Sequence, residues 1–549
     1  MKKLLALMFL LATSMSALQA QQKFHTEYSP SFDEPGGGWS KVMQLSNGNT
    51  FFLQFNKEDG IQVRVYDKTR KVISGKTFKS GLWEAKRMNE SLMEGLYEIK
   101  GQPVIFLQQL LERTPTLFRI VLDPQTGAVV SETKLGVLQQ YGAFAGYAMA
   151  FGGTDPNNSY VEKDPFSDCY AVVYFNGFAH ETNKRIEVVH YNGDHQEINR
   201  AYYQVPEDKF KYVRFMGMSV DADKTVYLAA FGFNDRSDDD SRIIISALKN
   251  GEKEFHHNML NFSEDFKDTK GVMQYNPDNK LIQLFTITKT SKKHSAFSSK
   301  TTQFYLPIMT YIDPATLSVV HAKIMGTEKV SEYTKAHLGD DDGYFGLPQN
   351  MVINNNHTTT ILMEQITGET IDYGHAVSMK TELGSIGISV LNDTGAENAG
   401  YAIQKKQLSD GIIPTMYLAE KQKGYWSYRH TNRMFARLET NAYMSFDYVN
   451  TDKANYILFN DYPVNAEKEE GDKRKVVQAI SGSNTMVYKL ADGKITKEYL
   501  FGKPSDDDKS IFSNIESSSF MKNTNTYATI VVKRDGRDKK AQIAWVTFE

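Results

Sequence analysis

Cysteine is almost absent, since Cys169 is the only one in 549 residues. One thiol cannot close an intramolecular disulfide, and it cannot supply a cysteine-rich zinc module. Proline (15) and glycine (38) are both too scarce for a collagen-like or low-complexity chain. An excess of one charge is also missing. Lys plus Arg number 63 against 66 Asp plus Glu, a net −3, which excludes a nucleic-acid binder working through a basic face. Apolar runs of the roughly 20 residues needed to cross a bilayer do not occur. Stretches with a 3.6-residue apolar period are nearly absent, which argues against a helical protein. Hydrophobic residues nevertheless make up 41%, too many for disorder. Aromatics are plentiful: 32 Phe, 30 Tyr and 4 Trp are 12% of the chain. These features together describe an aromatic-rich, β-rich globular protein.

The N-terminus has the layout of a secretory signal peptide. Met1-Lys2-Lys3 is basic, Leu4 to Ala12 is unbroken apolar sequence, and Thr13 to Ala20 is small and polar. Cleavage is expected after Ala20, leaving one domain over 21–549. Loss of Lys2 and Lys3 leaves 61 basic against 66 acidic residues, a net −5. No Cys follows the apolar run, so lipid attachment there is not expected. The expected location is extracytoplasmic, in the periplasm or on the cell surface of a bacterium. Cys169 lies in the strand-like run Phe166 to Phe175 and reads as a small buried hydrophobe. Without disulfides, an exported chain must be held by a large regular core.

A four-strand unit recurs along the chain. Trp39 to Leu45, Thr50 to Phe55, Ile61 to Tyr66 and Lys71 to Phe78 alternate like strands, separated by Ser46-Asn-Gly-Asn49, Lys57-Glu-Asp-Gly60 and Asp67-Lys-Thr-Arg70. Four antiparallel strands in about 40 residues is the size of a propeller blade. First-hairpin turns return at Lys100-Gly-Gln102, Asp221-Ala-Asp223, Asn276 to Asn279, Asn354 to Asn356, Asn450-Thr-Asp452 and Asn523-Thr-Asn525. An outer-hairpin turn is repeated in Asp123-Pro-Gln-Thr-Gly-Ala-Val-Val130 and Asp313-Pro-Ala-Thr-Leu-Ser-Val-Val320. Asp and Asn accept backbone N–H bonds in such turns, and Gly tolerates the left-handed residue. The spacing predicts blades near 39–78, 92–135, 145–203, 212–258, 271–325, 347–406 and 440–500. Ser517 to Glu549 then holds three strands, and Lys23 to Tyr28 supplies the fourth. The expected fold is an all-β single propeller of eight blades, with seven as the alternative, closed by the mature N-terminal strand so that no sheet edge stays free.

Two strings, Tyr401-Ala-Ile-Gln-Lys-Lys-Gln407 and Tyr456-Ile-Leu-Phe-Asn-Asp461, resemble a pattern in exported bacterial propeller-like proteins of unassigned function. The resemblance covers about a quarter of the chain; it implies a fold and a compartment, and transfers no catalytic residue. The Asp123 to Val130 hairpin is similar to that of quinoprotein-type propellers, which include redox enzymes and outer-membrane assembly scaffolds. Those repeats carry a docking Trp shortly after the Gly. Here Val129, Val130 and Ser131 follow instead, so no quinone cofactor is expected.

Catalytic motifs do not emerge. Gly217-Met-Ser-Val-Asp221 and Gly387-Ile-Ser-Val-Leu391 lack the second Gly of a nucleophile elbow. Ser219 to Thr225 partly matches a sialidase-type Asp-box, but Asp223 stands where Gly belongs and Val226 where Trp belongs, so it reads as a turn. The pairs His190/His195 and His256/His257 have no evident third ligand. Three acidic triplets, Asp238 to Asp240, Asp340 to Asp342 and Asp506 to Asp508, offer oxygen ligands of the kind calcium takes. No complete EF-hand loop accompanies them. No cofactor is expected, with calcium as the one alternative.

The segment Leu408 to Thr440 separates the sixth and seventh blades and carries Gly424-Tyr-Trp-Ser-Tyr-Arg-His430. Loop aromatics beside an Arg suit a recognition edge. Tyr425, Trp426, Tyr428, Arg429 and His430 are therefore the candidate ligand- or partner-binding residues. The function expected is a non-catalytic binding or scaffold propeller of the cell envelope, engaging a protein or a glycan. The alternative is a carbohydrate-active enzyme using loop carboxylates at the channel mouth.

Overall fold

Alternation with a period of two sets almost every element of the molecule. The computed structural model describes residues 24–548 except 36, 143–156, 207–208, 235–240, 261–266, 291–303, 355–356, 373–376, 411–441 and 505–508. Their strands pair into eight antiparallel sheets, seven of four strands and one of five. Each sheet is one blade, and consecutive strands run from the centre outward. Blades 1 to 7 cover 39–78, 92–137, 158–202, 212–260, 267–324, 347–410 and 447–499. Blade 8 takes Lys509–Met521, Thr526–Asp535 and Asp538–Thr547, and its outer strand is His25–Tyr28 from the other end of the chain. The fold is an eight-bladed β-propeller.

Neighbouring blades cover both faces of the middle strands, so these read as nearly continuous apolar runs. Tyr170–Phe175 and Thr225–Phe233 are buried at every residue. The outermost strands meet solvent and turn polar, as in Val72–Phe78. The aromatic surplus fills the gaps between blades. Trp39 stacks on Phe55 at 3.8 Å between ring centroids, and Trp545 of blade 8 donates to the Thr50 hydroxyl of blade 1 at 2.9 Å. Burial of each such side chain contributes on the order of 2–3 kcal/mol.

Ring closure follows the expected register. His25 opposes Thr547 and Tyr28 opposes Ala544. The contact runs on past the strand, with Ser29 N–H donating to Ile543 O at 2.9 Å and Phe32 exchanging two 2.8 Å bonds with Ala541. Phe24 is buried between Phe548 and Tyr456, which ties the strand to blade 7 as well.

Four blade starts differ from the sequence reading. Blade 3, expected from 145, has its first strand at Asn158–Lys163. Blade 8 begins at Lys509, because its inner strand carries an irregular stretch between Ser513 and Ser518 that breaks the alternation. Blade 5 begins at Lys267 and blade 7 at Asp447. Blade 6 gains a fifth strand, Gln407–Asp410, where only a connection was expected.

The repeated Asp-Pro-x-Thr turns are built alike. Asp123 Oδ1 accepts from Gln125 N, Thr126 N and the Thr126 hydroxyl. Asp313 Oδ1 accepts from Ala315 N and Thr316 N. The next residue is left-handed in both, Gly127 at φ +68° and Leu317 at φ +58°. Glycine is needed in the first because a Cβ there would lie 2.6 Å from Val63 Cγ1 of blade 1.

The two faces of the ring differ. The turns joining first to second strands, and third to outer strands, are two to six residues long throughout. They form a flat hairpin face. All the longer connections emerge on the opposite, loop face. There the central strands of blade 6, Thr359–Asp372 and Val377–Leu391, project beyond the other blades.

Candidate functional site

Two features stand out, a braced platform on the loop face and a cavity on the axis. The platform grows from blade 6. Its projecting hairpin pairs with Gln407–Asp410 through Lys380 to Leu383. A 22-residue insertion of blade 7, residues 462–483 between Asn455–Asp461 and Asn484–Ala491, adds Val477 as a further rung. Val477 N–H donates to Lys406 O, and Leu408 N–H donates to Val477 O, both at 2.9 Å. Arg474, 7% exposed, folds the insertion around itself. Its guanidinium donates to the carbonyls of Asn465, Lys468 and Glu469 and to Gln404 Oε1. A helix at Glu328–Tyr333 packs on the outer strand of blade 6 so closely that a Cβ on Gly400 would sit 2.2 Å from Val330 N.

Beneath the platform runs a buried polar network. Lys405 Nζ lies 2.6 Å from Glu364 Oε1, and neither side chain has any solvent exposure. Lys405 also donates to Leu383 O and Gln407 Oε1. The Ser445 hydroxyl donates to Glu364 Oε2 at 3.1 Å. Gln407 Nε2 donates to Asn460 O at 2.9 Å, and Asn460 Nδ2 donates to Ser513 O at 2.8 Å. Blades 6, 7 and 8 are thereby stitched together. Burial pushes the Lys405 amine below the ordinary lysine range, against the pull of Glu364. Asp461 accepts from Tyr462 N and Asn465 Nδ2, yet burial raises its carboxyl to about 6. The two strings Tyr401 to Gln407 and Tyr456 to Asp461 meet here, through Gln407 and Asn460.

The cavity, about 410 Å³, occupies the axis between the innermost strands of blades 1, 2, 6, 7 and 8. From blade 8 it is lined by Glu516, Ser518 and Phe520, alternate residues of the inner strand, and by Lys522 in the turn that follows. Lys41 comes from blade 1, Leu96 from blade 2, Asn350 and Val352 from blade 6, and Asp447, Tyr448 and Asn450 from blade 7. At mid-height Lys41 Nζ pairs with Glu516 Oε1 at 3.7 Å and donates to Glu516 O at 3.0 Å. Asn450 ends its strand and Lys522 opens the turn that follows Met521, so this end of the cavity lies toward the hairpin face.

The candidate residues Tyr425, Trp426, Tyr428, Arg429 and His430 lie outside the described residues, as do Asp238 to Asp240 and Asp506 to Asp508. Asp340 to Asp342 form an exposed turn in which Asp342 N–H donates to Asp340 Oδ1. Among the described residues no group of three or more His, Cys, Asp or Glu could hold a metal ion. His190 Nε2 donates to Ala222 O, His195 faces Tyr170, His256 faces Glu252 and His257 faces the Ser246 hydroxyl. The two pairs therefore serve separate local contacts. Cys169 is half-buried at the end of a hairpin, one residue before its expected strand begins at Tyr170. Burial, with three nearby aspartates, pushes its thiol up and disfavours the thiolate. Ser219 to Thr225 forms the first hairpin of blade 4.

Sequence reasoning missed the network and the cavity. The polar residues Glu364, Lys405, Gln407 and Asn460 sit at buried positions of otherwise apolar strands, and that mismatch was the available signal.

No protein-family model matches the chain, and no curated protein matches it significantly. Among solved structures, it is similar to the WD40 domain of SCAP from fission yeast, at 7% identity and TM-score 0.36 over 96% of this chain and 99% of that one. It is similar to the polysaccharide lyase Uly1 at 9% identity and TM-score 0.36, over 83% and 90%. A protein of unknown function from Bacteroides caccae gives 8% identity and TM-score 0.26, over 67% and 94%. The count of eight blades rests on the strand pairing of this chain itself.

Proposed function

We propose that this protein is a non-catalytic binding or scaffold propeller of the bacterial cell envelope, engaging a protein partner or a glycan through its loop face. The observation that carries this reading is the division between faces. One face holds only tight turns, while the long connections and the braced platform share the other. Loops fixed on a rigid scaffold are the usual carriers of recognition. The platform's charges are matched internally, Glu364 by Lys405 and Arg474 by backbone carbonyls, which supports a presenting surface over proton-transfer chemistry. The segment bearing Tyr425, Trp426, Tyr428, Arg429 and His430 leaves the platform at Asp410 and supplies the contact residues in this reading.

Affinity isolation from the native envelope, alongside a glycan-binding screen, tests it. One stoichiometric envelope partner or one glycan class is expected. Combined Tyr425→Ala, Trp426→Ala and Arg429→Ala should weaken capture about tenfold or more, as for aromatic and Arg anchors. Turnover of a polysaccharide by the purified protein, abolished by substituting channel acids, would refute the reading in favour of the enzyme.

A further inference from the structure

We infer that the axial cavity is a receptor for a primary alkylammonium group, the end of a lysine side chain or of a free aliphatic diamine. This site faces away from the loop face and does not depend on the function proposed there. Its size, about 410 Å³, lies within the roughly 300–1,000 Å³ of small-molecule pockets.

Charge selects the ligand. Lys41 is matched by Glu516 at 3.7 Å, and Lys522 at the rim by Asp452 at 3.9 Å. Asp447 is different. Its carboxylate accepts from the Ser518 hydroxyl, from the Tyr527 hydroxyl at 3.0 Å and from Tyr448 N–H at 3.0 Å. All three donors are neutral, and among the described residues no cation pairs with it. Asp447 is therefore a carboxylate on the wall held by neutral donors alone. Asp447 opens the inner strand of blade 7 and Asn450 closes it, so that charge lies inward of Asn450, beside Ser518 and next to the level of the Lys41–Glu516 pair.

Shape selects the stem. Leu96, Val352 and Phe520 line the way in, with the ring of Tyr448. Methylene groups pack against such a sleeve while the charged head travels on. Aromatic walls add attraction for a cation and none for a carboxylate. A ligand with a cationic tip and an aliphatic shaft meets both requirements at once.

Titration calorimetry on the full chain tests this, with 1,5-diaminopentane and the blocked tripeptide acetyl-Gly-Lys-Gly-amide as probes. 1-Pentanol and hexanoate serve as controls of equal reach. Both amines should bind saturably, with the controls about tenfold weaker or more. Asp447→Asn should weaken the amines about tenfold and leave pentanol unchanged. Val352→Trp, which fills the sleeve without touching the carboxylate, should abolish amine binding; it also keeps the test decisive if Asp447→Asn fails to fold. Tighter binding of the tripeptide would assign the group to a protein lysine, and tighter binding of the diamine to a free amine; both support the site. Pentanol binding as tightly as the amines, amine binding unchanged in Asp447→Asn, or no saturable amine binding would each overturn it.

Discussion

Removing the amine of Lys405 should be among the most damaging single changes this chain can suffer. Lys405→Met keeps the length and apolar stem but removes the buried cation beside Glu364, whose side chain has no solvent exposure and also accepts from the Ser445 hydroxyl. Breaking a buried pair from one side typically costs about 3–5 kcal/mol, because an uncompensated charge is left inside. The reverse change, Glu364→Gln, should cost less. Lys405 would still donate to Leu383 O at 3.1 Å and Gln407 Oε1 at 3.2 Å, so the loss is about 1.5–3 kcal/mol. The double variant removes both charges and should recover part of the deficit, giving a coupling of about 2 kcal/mol. Guanidinium denaturation at constant m-value, on all four proteins, measures this cycle. Acidification should narrow the Lys405→Met deficit, since protonating Glu364 removes its buried charge. A Lys405→Met cost below about 1 kcal/mol, or strict additivity in the double variant, would refute the account of this pair as a coupled buried contact.

Two further outcomes follow from the same contacts. The Asp461 carboxyl rises from the ordinary 3.8 to about 6 on folding, so the folded chain holds its proton longer than the unfolded one. Stability from this group therefore falls as pH climbs from about 4 to 6, by about 3 kcal/mol. Asp461→Asn should be more stable than the parent at pH 7.5, and the advantage should vanish near pH 4; an advantage equal at both pH values would contradict it. Phe24→Ala opens a gap between Phe548 and Tyr456 and should cost about 3 kcal/mol. Limited proteolysis should then cut first near 24–33, and cleavage elsewhere first would show that the closing strand is not the weakened element.

The blades were legible because their signals are local. Asp67, Asp123, Asp313 and Asn392 each organise a turn within about four residues of themselves, and strand alternation fills the intervals. The N-terminal strand was legible for a related reason: three strands at the other end required a fourth. Blade 8 was misplaced at its start because the irregular stretch around Ser513 to Ser518 interrupts the very period being read. The network was hidden because its members, Glu364, Lys405, Ser445 and Asn460, are each unremarkable alone and become a unit only when three blades are juxtaposed. The cavity depends on how the inner strands of blades 1, 2, 6, 7 and 8 come together. That arrangement is fixed by the closed ring and not by any one repeat.

The strand His25–Tyr28 also bears on how the molecule comes into being. It is the first part of the described chain to be synthesised, and its partner Asp538–Thr547 is among the last. Nearly every other pairing joins neighbours in sequence, so seven sheets can form as the chain emerges. The eighth contact has the longest possible sequence separation, and long-range pairings of this kind form slowly. Until it forms, the outer edge of blade 8 stays open to other chains. The ring therefore reports on its own completion: a product cut short at its C-terminus leaves the first strand without a partner, and only a full-length chain can bury Phe24.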